Sequence, residues 1–189
     1  MKILKSKSGL ILTEALVTIG MLTTGAIVSG FIVTTAVSDM LLSRNYSIAR
    51  NLAVEGAEAV RGIRSTNWLR EPNDPSCWLT LDPDLGCGSG QMMAGSSYIA
   101  TENTNNKWAL EGPMKRELNL EAGGMDEYRF YMGDLPYIHD PSGEPSPYYR
   151  GVKFTEVTDD FASFEVKLQW REGAKVRTIL MPVTIFNYL

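Results

Sequence analysis

Between Lys7 and Asp39 the chain carries one ionisable residue, Glu14. Everything else from Leu10 to Val37 is apolar, small or hydroxylated, a composition that a membrane helix accepts. As a helix rising about 1.5 Å per residue, this stretch reaches about 42 Å, more than the roughly 30 Å hydrocarbon core of a bilayer. The carboxylate is the anomaly. At the centre of a membrane helix it costs about 2.5–3.5 kcal/mol, so the segment must have a use for it.

Charge is unevenly placed around this segment. Lys2, Lys5 and Lys7 precede it with no acid among them, and without these three the net charge of −4 becomes −7. By the positive-inside rule the start lies in the cytoplasm and the remainder outside. The acidic bulk disfavours nonspecific binding to nucleic acid or anionic lipid.

Three readings of the segment compete. A secretory signal peptide would be cut at Asp39 behind the small residues Ala36 and Ser38, but its apolar core would exceed the usual span of about 7–15 residues. A plain signal anchor leaves Glu14 unexplained. The third reading cuts the chain after Gly9, making Leu10 the first residue and placing Glu14 one helical turn from a new α-amino group. An amine and a carboxylate then neutralise each other, within one chain or between two staggered by about a turn. Pairing removes the penalty that an isolated buried charge would carry.

The order Lys2, Lys5, Lys7, Gly9, Leu10, Glu14 and then an apolar run resembles the class III signal of the type IV pilin family. The resemblance implies cleavage after Gly9 by a membrane prepilin peptidase, N-methylation of Leu10, and a docking role for Glu14 in a filament. Two positions depart from the family pattern. The first mature residue is usually Phe and here is Leu10. Where many pilins carry a helix-loosening proline, Phe31 stands instead. Gly20, Gly25 and Gly30 either weaken the helix locally, at about 1 kcal/mol each relative to Ala, or let neighbouring helices approach closely.

Beyond Asp39, Leu41, Ile48, Leu52, Ala59 and Ile63 recur at helical spacing, and Leu42, Ala49, Ala53 and Val60 widen the stripe. The pattern predicts an amphipathic continuation that buries one face, with Glu58 and Arg61 as an exposed pair worth a few tenths of a kcal/mol, about the value of such helix pairs. Pro72, Pro75 and Pro83, with Asn73, Asp74 and Gly86, end this regime, and the helix end is expected near Thr66. From Leu10 to there an unbroken helix is about 85 Å long.

The remainder reads as β. Ala162, Phe164, Val166, Leu168 and Trp170 alternate with polar residues, the mark of a half-buried strand. Glu172-Gly173-Ala174-Lys175 makes a turn, VRTILMPVTIF resumes extended structure with Pro182 at an edge or bulge, and YYRGVKFTEV adds a third strand. Tyr98–Ala100 and Glu127–Tyr131 are further strand candidates. The expected fold is α+β: a long N-terminal helix, half transmembrane and half amphipathic, packed on a C-terminal antiparallel sheet. Its divisions are a leader (1–9), a membrane or filament-core helix (10–38), an amphipathic continuation (39–66), a loop-rich region (67–147) and a β-meander (148–189).

Little in the chain points to catalysis. His139, the only histidine, lies in the loop IHDPSGEPSPYY and is expected to be exposed. No P-loop, dinucleotide fingerprint or zinc spacing occurs. Asp82-Pro83-Asp84, near Asp74, lacks the ordered ligand series of a calcium loop and reads as a solvated turn. Trp68, Trp78, Trp108 and Trp170 read as core residues rather than a ligand platform. Cys77 and Cys87 suit neither a zinc knuckle nor a CxxC site. In an exported protein they close a loop as a disulfide worth about 2–3 kcal/mol, and otherwise they stay thiols.

The resemblance therefore implies a structural subunit without enzymatic activity, cofactor or metal. Its partners would be the prepilin peptidase, further pilin copies, the assembly machinery and the inner membrane, with no nucleic acid. Pilus fibre, minor pilin, DNA-uptake pilus and pseudopilin all stay open, though Glu14 argues against the tip-like pseudopilins that lack it. The alternative from another class is a secreted or singly anchored binding module with a β-rich head.

Overall fold

The computed structural model describes residues 8–71, 74–87, 90–103, 105–132, 138–139 and 141–187. It divides into two compact units, Met1–Tyr46 and Ser47–Leu189. One helix, α1 (Ser8–Arg70), enters both.

In the second unit α1 is amphipathic. Ala49, Leu52, Ala53, Ala59, Val60 and Ile63 are buried, and Ile48 packs at the margin. Leu41 and Leu42, the first members of the expected stripe, are exposed. Glu58 and Arg61 form their ion pair on the solvent side. The helix runs four residues past the expected end at Thr66, because its last turn is held from outside. The Asn67 side-chain amide donates to the carbonyls of Trp78 (3.2 Å) and Thr80 (2.8 Å), and Trp68 Nε1 donates to Asn187 Oδ1 at 3.1 Å. It stops before Pro72, whose ring disfavours helical geometry in the residue ahead of it.

The sheet has six strands: β1 (Ser97–Glu102), β2 (Trp108–Glu111), β3 (Arg129–Met132), β4 (Glu144–Val157), β5 (Phe161–Glu172) and β6 (Lys175–Phe186). Their order is β2-β1-β4-β5-β6, with β3 also pairing β4, and every pairing is antiparallel. The fold is α+β. The meander begins at Glu144 rather than 148, and the loop-rich region holds three short strands. Among these, β2 has too few residues for a periodic signal.

Register explains the two faces. Tyr148, Arg150, Val152 and Phe154 of β4 lie opposite Trp170, Leu168, Val166 and Phe164 of β5, and this row packs with the α1 stripe in one buried cluster. All five alternating residues of β5, Ala162, Phe164, Val166, Leu168 and Trp170, are buried. On the other face Leu118, Leu120, Met125 and Tyr128 pack with Ile99 and Tyr149, so Gln169 is buried there too. Its Oε1 accepts from the Leu120 N–H at 2.9 Å, and its Nε2 donates to Thr178 Oγ1 at 3.0 Å. Among the described residues β6 pairs only with β5, and it carries Pro182 opposite Glu165. A residue without an N–H belongs on such an edge.

Candidate functional site

In the first unit, α1 has no polar face. Ile11, Leu16, Ile19, Leu22, Phe31 and Val37 are all exposed, Phe31 at 72%. A helix that is apolar on every side needs lipid or other apolar helices around it, and α1 is long and apolar enough to cross a membrane.

Most of its hydroxyl groups bond to the helix's own backbone. Thr23, Thr24 and Thr34 donate to backbone carbonyls three and four residues earlier, Thr35 donates to the Phe31 carbonyl at 2.9 Å, and Ser38 donates to the Thr34 carbonyl at 3.0 Å. These back-bonds let polar side chains sit in hydrocarbon without an orphaned donor. The Thr18 hydroxyl donates to the backbone carbonyl of Glu14. The Glu14 carboxylate, the one ionisable group in the apolar run between Lys7 and Asp39, has no ion-pair partner among the described residues. A Cβ placed on Gly20, Gly25 or Gly30 would meet nothing within 4 Å. Gly9 and Leu10 fall within α1, while Lys2, Lys5 and Lys7 lie outside the described residues.

Cys77 and Cys87 form a disulfide with their Cα atoms 4.9 Å apart. Cys77 sits in a 3-10 turn (Pro75–Leu79) capped by Asp74, whose carboxylate accepts from the Ser76 N–H and hydroxyl. Those two bonds hold the Asp74 carboxyl below its ordinary value. With both sulfurs in the disulfide, the nearby Asp74 has no thiolates with which to share a metal.

Both Asp84 oxygens and Oδ1 of Asp82 accept from protein donors. Asn103 Nδ2 donates to both residues, and Asp84 also accepts from Asn105 Nδ2 (2.7 Å) and Lys107 Nζ (2.7 Å). The Lys107 bond, followed by that of Asn105, draws the Asp84 carboxyl down to about 2. This is a staple between the Asp82–Leu85 turn and the β1–β2 hairpin.

His139 is not the exposed loop residue that its proline-rich surroundings suggest. It stacks on Phe130 with ring centroids 4.2 Å apart, and its Nδ1 lies 3.0 Å from the Arg129 carbonyl oxygen. Burial, and then the charge of Arg150, push its pKa down to about 3. Arg150 itself escapes notice in the sequence. Its guanidinium, only 1% exposed, donates to the Leu52 carbonyl (3.0 Å), Glu55 Oε1 (2.9 Å) and the Ala100 carbonyl (3.0 Å), joining α1, β4 and β1. The available signal was parity: a cation on the same face of β4 as Tyr148, Val152 and Phe154.

These features define a class of protein, an α+β head whose N-terminal helix is long and apolar enough to span a bilayer. Compared with known protein families, curated proteins and solved structures, the chain finds no match.

Proposed function

We propose that the chain is a type IV pilin-like structural subunit. It is cut after Gly9 by a prepilin peptidase, held in the inner membrane by α1, and polymerised through that helix into a filament outside the cytoplasm. One observation supports the reading: a single acid, five residues beyond Gly9, in the stretch of α1 before Asp39 that is otherwise without charge and apolar on all sides. In lipid the apolar residues gain little from helix association, since lipid tails are as apolar as they are and packing dominates. A charge pair has more to decide. Glu14 neutralises the new α-amino group of a neighbouring subunit and so sets the stagger between copies.

Glu14→Ala is expected to leave expression and cleavage intact while lowering recovery in sheared filaments about tenfold or more. A tenfold change needs only about 1.4 kcal/mol per contact. Normal incorporation of that variant would remove the role assigned to Glu14. Mass spectrometry of the wild-type protein from its native host should show methylated Leu10 as the first residue, and Gly9→Ser should block that cut. A start at Asp39 would instead identify a released binding module, and an intact Met1 a simple anchor.

A further inference from the structure

His139 is the chain's only histidine, and the described residues around it offer no acceptor for a second ring proton. With Nδ1–H donating to the Arg129 carbonyl oxygen, Nε2 holds the bare lone pair. That atom is buried and has no hydrogen-bond partner among the described residues. The Phe130 ring on which the imidazole stacks also lies 4.7 Å from the guanidinium carbon of Arg150. One aromatic ring therefore touches both the histidine and the buried cation that ties α1 to β1 and β4.

The charges facing this cluster do not favour an imidazolium. From β4 comes Arg150, which is fully charged and buried. From α1 comes Glu55, whose carboxylate is already engaged by Arg150. From β3 comes Arg129, whose Nε donates to the Ser146 carbonyl and whose Nη1 lies 3.5 Å from Asp126. A proton on Nε2 would bring a third cation to a place with one engaged carboxylate at its centre and another, exposed, at its margin. A buried charge without a partner is not retained.

We propose that His139 is a proton-operated latch on the head. Neutral, it stacks on Phe130 and keeps Arg150 in register with α1. Protonated, it leaves the stack, and the Arg150 link among α1, β1 and β4 loosens with it. The inference stands apart from the filament reading, because all of its residues lie in the head.

The direction follows from linkage. A solvated histidine titrates near about 6.5, whereas His139 in place titrates at about 3. Above the upper value neither state binds the proton and the latch is indifferent to pH. Between the two values only the open state binds it, so the opening constant rises about tenfold per pH unit as pH falls.

Hydrogen exchange of the full chain in detergent micelles at pH 7.5 and pH 5.0, corrected for intrinsic exchange rates, tests this. Protection of Arg129–Met132 and of the α1 turn from Leu52 to Glu55 should fall about thirtyfold at the lower pH. The His139→Phe variant, which keeps a ring on Phe130 but cannot take a proton, should lose no protection. Equal wild-type protection at both pH values, or the same loss in the variant, overturns the latch. Should the variant not fold, the histidine ring signals of the wild type decide. A ring that stays neutral until β3 opens supports the proposal, and one that titrates near about 6.5 with β3 still protected refutes it.

Discussion

Arg150→Ala is expected to destabilise the head by about 3 kcal/mol, and Arg150→Met by far less. Alanine removes three hydrogen bonds, which are worth about 0.5–1.5 kcal/mol each when neutral and more when charge-assisted. It also opens a cavity beneath Phe130 and Trp108, whose rings lie 4.7 and 5.9 Å from the guanidinium carbon, and large-to-small core changes cost about 2–5 kcal/mol. Recovering the desolvation cost of a buried cation offsets part of that sum.

Methionine fills the volume of the stem and brings no charge. An apolar side chain of similar size in place of a buried ion is often close to neutral, and the Arg150 Nε has no partner among the described residues. Glu55→Ala should fall between the two. It strands the guanidinium, but Glu55 is 43% exposed, and solvent already weakens its half of the pair. Urea titrations of the full chain in detergent, followed by tryptophan fluorescence, give the order. Equal losses for the alanine and methionine variants would show that Arg150 acts through its charge alone.

Gly56→Ala should cost about 1–2 kcal/mol, against the usual direction for a helix. Alanine ordinarily gains about 1 kcal/mol over glycine at an interior helical position. At Gly56 the new Cβ would lie 2.8 Å from Arg150 Cδ and 3.0 Å from Val166 Cγ1. Neither neighbour can yield easily, since Val166 is fully buried and Arg150 is pinned at three acceptors. Overpacking of this kind costs about 1–3 kcal/mol. Gly62 provides the internal comparison. A Cβ there meets only Trp108 Cδ1 at 3.7 Å, an ordinary contact, so Gly62→Ala should stabilise by up to about 1 kcal/mol. Thermal melts of the two variants should move in opposite directions. A stabilising Gly56→Ala would mean that the helix and sheet are farther apart than these distances.

Much of the fold was readable because its signals are local. The alternation from Ala162 to Trp170 needs only the two-residue period of a strand, and the stripe from Ala49 to Ile63 only the 3.6-residue period of a helix. Glu14 is conspicuous for the same reason: a charge in an apolar run is visible in one dimension. The end of α1 lies beyond the reach of local signals, because the residues that hold its last turn, Trp78, Thr80 and Asn187, come from later in the chain. Strand β2, at four residues, is too short for either period to register.

His139 shows where such reading fails. Its neighbours Asp140, Pro141, Ser142 and Gly143 are turn formers, and turn formers ordinarily lie at the surface. Its ring is held by Phe130 and Arg129 on β3, and the charge that acts on it comes from Arg150 on β4. Arg150 is inconspicuous in the sequence for a related reason. Arginine is rarely buried without partners, and its partners here sit at Leu52, Glu55 and Ala100, about fifty to a hundred positions away in sequence.

By itself, then, the order of residues established the long apolar helix, the isolated acid on it, the amphipathic continuation and the alternating strands, because each depends on spacings within a few turns or pleats. Only the folded head decided which charge lies at its centre and which ring rests against it. A buried ion survives only where distant segments converge to supply its acceptors, and that convergence is a property of the packed structure rather than of any one stretch of chain.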